Sequence, residues 1–135
     1  MYEHFEHKAD IGVKGLGKTV EESFEECAKA MYAVMTDLSR VKQIKIFRIE
    51  CEAENKEELL VEWLNSLVTI TDTHNYFFSK FEVRVENNKL FGIVKGEKIN
   101  PKKHELLTEV KAATYSQLKV FKKGKLWISQ TVVDV

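Results

Sequence analysis

Residues 19–35 constrain the fold of this chain more than any other stretch. Val20, Phe24, Cys27, Ala28, Met31, Val34 and Met35 recur at three- and four-residue intervals, so they form one apolar stripe on a helix. Thr19 followed three residues later by Glu22 is a capping box that marks where the helix starts. A helix with only one apolar stripe must bury it against something else. Residues 55–71 supply a second such helix, with Leu59, Leu60, Trp63, Leu64, Leu67 and Val68 inward and Asn55 to Glu58 as its cap.

Around these helices the period drops to two. In "FFSKFEVRVE", Phe77, Phe81, Val83 and Val85 fall on one side and Glu82, Arg84 and Glu86 on the other, as in a half-buried strand. Asn87-Asn88 is a tight-turn signal leading into "LFGIVKGE". Further strands are expected over 3–7, 11–14, 44–53, 117–122 and 125–133, the last two joined by "KKGK" around Gly124. The order is two strands, helix, strand, helix and four strands, without a βαβ alternation or an internal repeat. It predicts a single α+β domain over residues 1–135, with two helices on one face of a largely antiparallel or mixed sheet. The polar loop "EKINPKKHE", which holds Pro101, is the best candidate for a mobile segment.

Composition narrows the functional classes. Lys plus Arg and Asp plus Glu each number 21 in 135 residues, so no net field draws in a polyanion, and nucleic-acid binding would need a local patch. Lys42 with Lys45, Lys102 with Lys103, and Lys122, Lys123 and Lys125 are the clusters that could form one. Cys27 and Cys51 stand apart with no paired His, which argues against a zinc site or a disulfide framework and for a reducing compartment. The polar start "MYEHFEHKAD" is unlike a signal peptide, and no segment approaches the ~20 apolar residues of a membrane span. A cytoplasmic protein is expected.

Two acids sit at odd places. Asp134 follows the apolar run "WISQTVV", and parity puts it on the side of Leu126, Ile128 and Val132; if that side faces the core, the carboxylate is at least half buried, whereas the plainer reading is a frayed end where Asp134 faces water. Asp10 lies between two strands, where an Asp ordinarily bonds its own turn. Should the two meet, carboxylates ~4 Å apart repel by ~4 kcal/mol at an effective dielectric of 20, which calls for a bound cation or a retained proton. All-oxygen ligands select Ca²⁺ or Mg²⁺. "GVKGLGKT", residues 12–19, fits the G-x-x-x-x-G-K-T expression of a phosphate loop. Such a loop needs a buried parallel strand before its helix, and the short polar stretch upstream does not provide one. No Ser-His-Asp or Cys-His arrangement emerges from His4, His7, His74 and His104.

These residues together resemble the archease family. "HKAD" (residues 7–10) is similar to the family's H-T-A-D, "AMYAVMTD" (30–37) to its helix end and "LLVEWLNSLV" (59–68) to its central helix. "GE" (96–97), "EVKAATY" (109–115) and the closing "VVDV" follow in family order over the whole length. Lys8, Ser66 and Ser116 depart from the family pattern, which has Thr, often an acid, and often His at these places. The resemblance implies a non-enzymatic cofactor of the GTP-dependent, RtcB-type tRNA-splicing RNA ligase. Such a cofactor promotes guanylylation of the ligase, restores repeated turnover and broadens the nucleotide used. It implies a calcium site, or one for Mg²⁺ or another hard divalent cation, held by Asp10, Asp134 and the chain-terminal carboxylate of Val135. Lys111 matches a position tied to ligase activation, and Glu97 and Asp37 are weaker candidates for the same role. Contact with tRNA would be indirect, and no membrane is involved. The rival reading from the residues is a general chaperone or an RNA-binding module using the lysine clusters.

Overall fold

The computed structural model describes all of residues 1–135. Eleven elements follow one another: β1 (Tyr2–His7), β2 (Asp10–Gly17), α1 (Val20–Met35), a 3-10 turn (Leu38–Arg40), β3 (Lys45–Glu52), α2 (Lys56–His74), β4 (Tyr76–Glu86), β5 (Lys89–Lys98), β6 (Ala112–Ala113), β7 (Lys119–Lys123) and β8 (Leu126–Asp134). Two helices and only antiparallel pairings make this an α+β fold, as the patterning predicts. The strands divide between two sheets, ordered β1-β2-β8-β6 with β7 also on β8, and β3-β5-β4. Period-two alternation identifies a strand but not its partner, so this division is not visible in the pattern.

Both helix starts form as their caps dictate. Thr19 Oγ1 accepts the Glu22 N–H at 3.0 Å, and Asn55 Oδ1 accepts the Glu58 N–H at 2.9 Å. The second helix runs three residues beyond its expected end and stops where Asn75 turns left-handed at φ 61°.

The core fills the space between helices and sheets. Trp63, Tyr32, Phe24 and Phe78 are fully buried within it. Polar tips inside are paired: Trp63 Nε1 donates to the Phe24 carbonyl at 3.1 Å, and the Tyr32 and Thr71 hydroxyls meet at 2.6 Å, tying α1 to α2. The glycine-rich strand β2 lets α1 approach closely. A Cβ on Gly15 would lie 2.1 Å from the Ser23 carbonyl and 2.3 Å from the Cys27 amide.

One expectation needs correction. Strict alternation in β4 breaks between Phe78 and Lys80, where the register against β5 shifts; Phe77 and Phe78 are therefore both buried, and Phe77 does not share one uninterrupted row with Phe81. Asp134 is exposed, as the plainer of its two readings has it. The side of β8 that joins the core through Trp127 and Val133 is the opposite one. Between Ser129 and Val133 the strand is buried on both faces, so parity with Val132 was a poor guide.

Candidate functional site

Pairing across the five-stranded sheet determines where the two acids go. Asp10 is the register partner of His7 at the β1–β2 hairpin. The β2–β8 ladder runs as far as Ile11 opposite Val133, so its next step brings Asp10 to Asp134. Asp134 is in turn the partner of Ala112, and its carbonyl accepts the Lys111 N–H at 2.8 Å. His7, Asp10, Asp134 and Ala112 thus form one row across four strands, and residues opposite one another in a sheet point to the same face. That face is the one away from α1, because Gly15, odd-numbered like Val13 and Val133, abuts the helix. Lys8 holds the intervening turn at φ 54°.

Two carboxylates on one face, half-buried for Asp10 and exposed for Asp134, form an acidic tip, and the exposed Lys111 adjoins it through its backbone N–H. The donor set is all oxygen, which suits a hard divalent cation. The Nδ1 atom of His7, in the same row, is buried with no protein partner and so remains free for a water or carboxylate in the surroundings of an ion. No group of three or more His, Cys, Asp and Glu side chains gathers to hold a metal alone. The half-buried Val135 follows directly.

The other candidate acids lie at the same end of the molecule but in different settings. Thr108 and Leu107 hydrogen-bond to the last turn of α1, and a groove of about 390 Å³ is lined there by Met35, Asn75, Phe77, Ile99 and Val110. Glu97, at the end of β5, is held through one oxygen. Its Oε2 accepts from the Lys42 N–H at 2.7 Å, Lys103 Nζ at 2.6 Å and His104 Nε2 at 3.1 Å. The buried His104 takes the Asn100 N–H on Nδ1 at 3.0 Å, which leaves its proton on Nε2 to donate to Glu97. Desolvation pushes the Glu97 carboxyl up, but hydrogen bonds from Lys103, Lys42 and His104, with the charge of Lys103, outweigh it and hold the pKa at about 2. Asp37 caps the 3-10 turn, accepting from the Ser39 hydroxyl and N–H at 2.7 and 3.0 Å; these bonds lower its pKa. Glu97 and Asp37 are both engaged within the fold, whereas the Lys111 side chain is exposed.

The model of the archease protein family matches residues 2–135. The chain belongs to the archease family. It is 40% identical over 136 residues to the archease of Sulfurisphaera tokodaii, covering 99% of this chain and 98% of that one. With the archease of Pyrococcus abyssi it shares 39% over 140 residues, again 99% and 98% of the two chains. The solution structure of a Methanobacterium thermoautotrophicum protein superposes with a TM-score of 0.86 at 34% identity, over 99% of this chain and 98% of that one. A crystal structure of an archease and possible chaperone from Thermotoga maritima shares the fold, with a TM-score of 0.60 at 21% identity over 100% and 98%.

Within this archease fold the phosphate-loop match has a structural meaning. Residues 12–17 belong to a strand antiparallel to both neighbours, and Thr19 Oγ1 is used up as a helix cap. The glycines serve close packing, and the nucleotide reading falls. Burial pushes the Cys27 thiol up to about 12 and that of Cys51 up to about 11, which removes thiolate chemistry at ordinary pH. Members of two of the three lysine clusters converge: Lys103 Nζ donates to Glu97, as does the backbone N–H of Lys42, and Lys45, Lys98 and Lys103 line one cleft with Tyr76. No helix is long and apolar enough to cross a membrane. Sequence reasoning missed His7 as a member of the tip row and His104 as the buried link to Glu97. The first was within reach, because a two-residue hairpin pairs its flanking residues.

Proposed function

We propose that this chain is a non-catalytic activator of an RtcB-type tRNA-splicing RNA ligase. In this reading it promotes guanylylation and repeated turnover of the ligase and widens the nucleotide it uses. The observation that carries the proposal is the in-register meeting of Asp10 and Asp134 beside Lys111, in a chain of the archease family. Asp10, Asp134 and the Val135 carboxylate would hold Ca²⁺, or another hard divalent cation. The ion would neutralise like charges that otherwise repel. The β-sheet fixes the spacing of the two side-chain donors, and the exposed Lys111, next to the Ala112 that pairs with Asp134, would offer a cationic contact to the ligase.

The test is guanylylation of the ligase with GTP, with and without this protein, followed over several turnovers. Stimulation that disappears with Asp10→Ala or Asp134→Ala is the expected result; an unchanged rate and turnover number with the unaltered protein would sink the proposal. A second reading rests on the convergence of lysines around Tyr76: direct RNA contact, with affinity falling steeply as salt rises. Binding of labelled single-stranded RNA to this protein alone, measured at two salt concentrations, separates the readings.

A further inference from the structure

The three-stranded sheet has two outer strands, and they are treated differently. Along β4 lies α1, whose Glu25 carboxylate accepts the Val83 N–H at 2.8 Å. Strand β3 has β5 as its only sheet partner and α2 against its inner face. It pairs over eight residues without a bulge and contains no proline, and both Ile44 and Ile46 are exposed, at 70% and 51%. A straight, open edge of this length is a template for another strand.

Backbone direction and charge together specify which strand. Ala53 N–H donates to the Asn88 carbonyl at 3.1 Å, continuing the register in which Lys45 faces Gly96. Odd-numbered residues of β3 therefore turn their backbone groups toward β5, and Ile46, Arg48, Glu50 and Glu52 turn theirs to the open side. A second copy pairing antiparallel must match even-numbered residues with even-numbered ones. Centred on Ile49, this pairing sets Arg48 opposite Glu50 of the second copy, and Glu50 opposite its Arg48. Sliding by one pair in either direction would set Arg48 against Arg48 or Glu50 against Glu50. Opposite charges across strands attract and like charges repel, so one register is selected. The strand is basic in its first half and acidic in its second, as antiparallel pairing with itself requires.

We infer that two copies of this chain associate through β3 about a two-fold axis at Ile49, joining two three-stranded sheets into one of six strands. The tip at Asp10 and Asp134 lies on the other sheet and plays no part in it. A single strand pairing is a small interface, so the dissociation constant is expected at about 10–100 µM.

Sedimentation equilibrium from micromolar to millimolar protein tests this. The unaltered protein should show a monomer–dimer equilibrium. Arg48→Glu and Glu50→Arg alone set like charges opposite each other at both symmetric positions and should weaken association by about tenfold or more. The double variant R48E/E50R exchanges the charges and should restore it, which a folding defect would not do. A protein monomeric at millimolar concentration overturns the inference, as does a dimer indifferent to R48E or a folded double variant that stays monomeric.

Discussion

Glu97 and the pair Asp10 and Asp134 are carboxylates at one end of the same small fold, and they differ in what the fold has already done with them. Glu97 receives a backbone N–H, an ammonium and a buried imidazole N–H on one oxygen. No protein donor is bonded to the side chains of Asp10 and Asp134, which share a face because β2 pairs with β8. The contrast separates two uses of negative charge. A carboxylate already held by three donors on one oxygen ties loops together and is stabilised from within the fold. One that the backbone register holds beside another acid, without protein donors, is stabilised only by what comes from outside.

The largest effect expected on the tip side comes from the ion itself. If the tip binds Ca²⁺ in the folded state only, a hundredfold excess over the dissociation constant stabilises the protein by about 2.7 kcal/mol. Thermal unfolding with Ca²⁺ against chelator measures this, and Asp10→Ala should remove the difference. Equal midpoints for the unaltered protein would erase the contrast with Glu97. On the other side, Glu97→Ala strips the buried His104 Nε2–H of its acceptor and frees Lys103. An unsatisfied buried donor costs about 1–3 kcal/mol, so urea unfolding should show a loss of about 2 kcal/mol whether or not Ca²⁺ is present.

A smaller effect follows from titration. The Glu97 carboxyl lies at about 2 in the folded protein, below its ordinary 4.5. A group with a depressed folded pKa contributes stability that is present above the unfolded value and lost as pH falls through the folded one. Stability should therefore decline between about pH 4.5 and pH 2, and less steeply in Glu97→Gln, where that proton uptake is gone. Denaturation midpoints at half-unit pH intervals give the slopes; parallel slopes would mean that Glu97 is not held as its three donors imply.

What could be read from the sequence follows the range of the interactions. The helices and their starts are local matters: Thr19 with Glu22, and Asn55 with Glu58, are decided within one turn, and all four residues behave accordingly. The bulge between Phe78 and Lys80 is one unpaired residue, and the pattern of apolar residues around it reads equally well without it. The meeting of Asp10 and Asp134 joins positions more than a hundred residues apart, and no periodicity encodes which strands pair. It was foreseen only through likeness to the family. Likeness also singled out Glu97, but the geometry that occupies its oxygen involves Lys42 and His104, which lie far apart along the chain. Parity alone leaves the setting of Asp134 open because the middle of β8 is buried on both faces, so apolar neighbours on one side do not identify the core side.

The smallest expected effect is the most discriminating, because its sign should differ between the two regions. Without metal, Asp10→Asn removes one of two like charges on the same face of neighbouring strands, and like charges so placed destabilise a sheet. Both groups reach solvent, so the gain is limited to about 0.2–0.5 kcal/mol in chelator, and Asp134→Asn should behave the same way. Glu97→Gln should instead lose stability, since an amide oxygen is a weaker acceptor for Lys103 than a carboxylate. Added Ca²⁺ should reverse the order at the tip: the unaltered protein becomes the more stable, and the Asn variants stay where they were. If Asp10→Asn lowered stability in chelator by more than about 1 kcal/mol, Asp10 would be a structural acid of the Glu97 kind. The tip would then have no charge held in reserve for an ion.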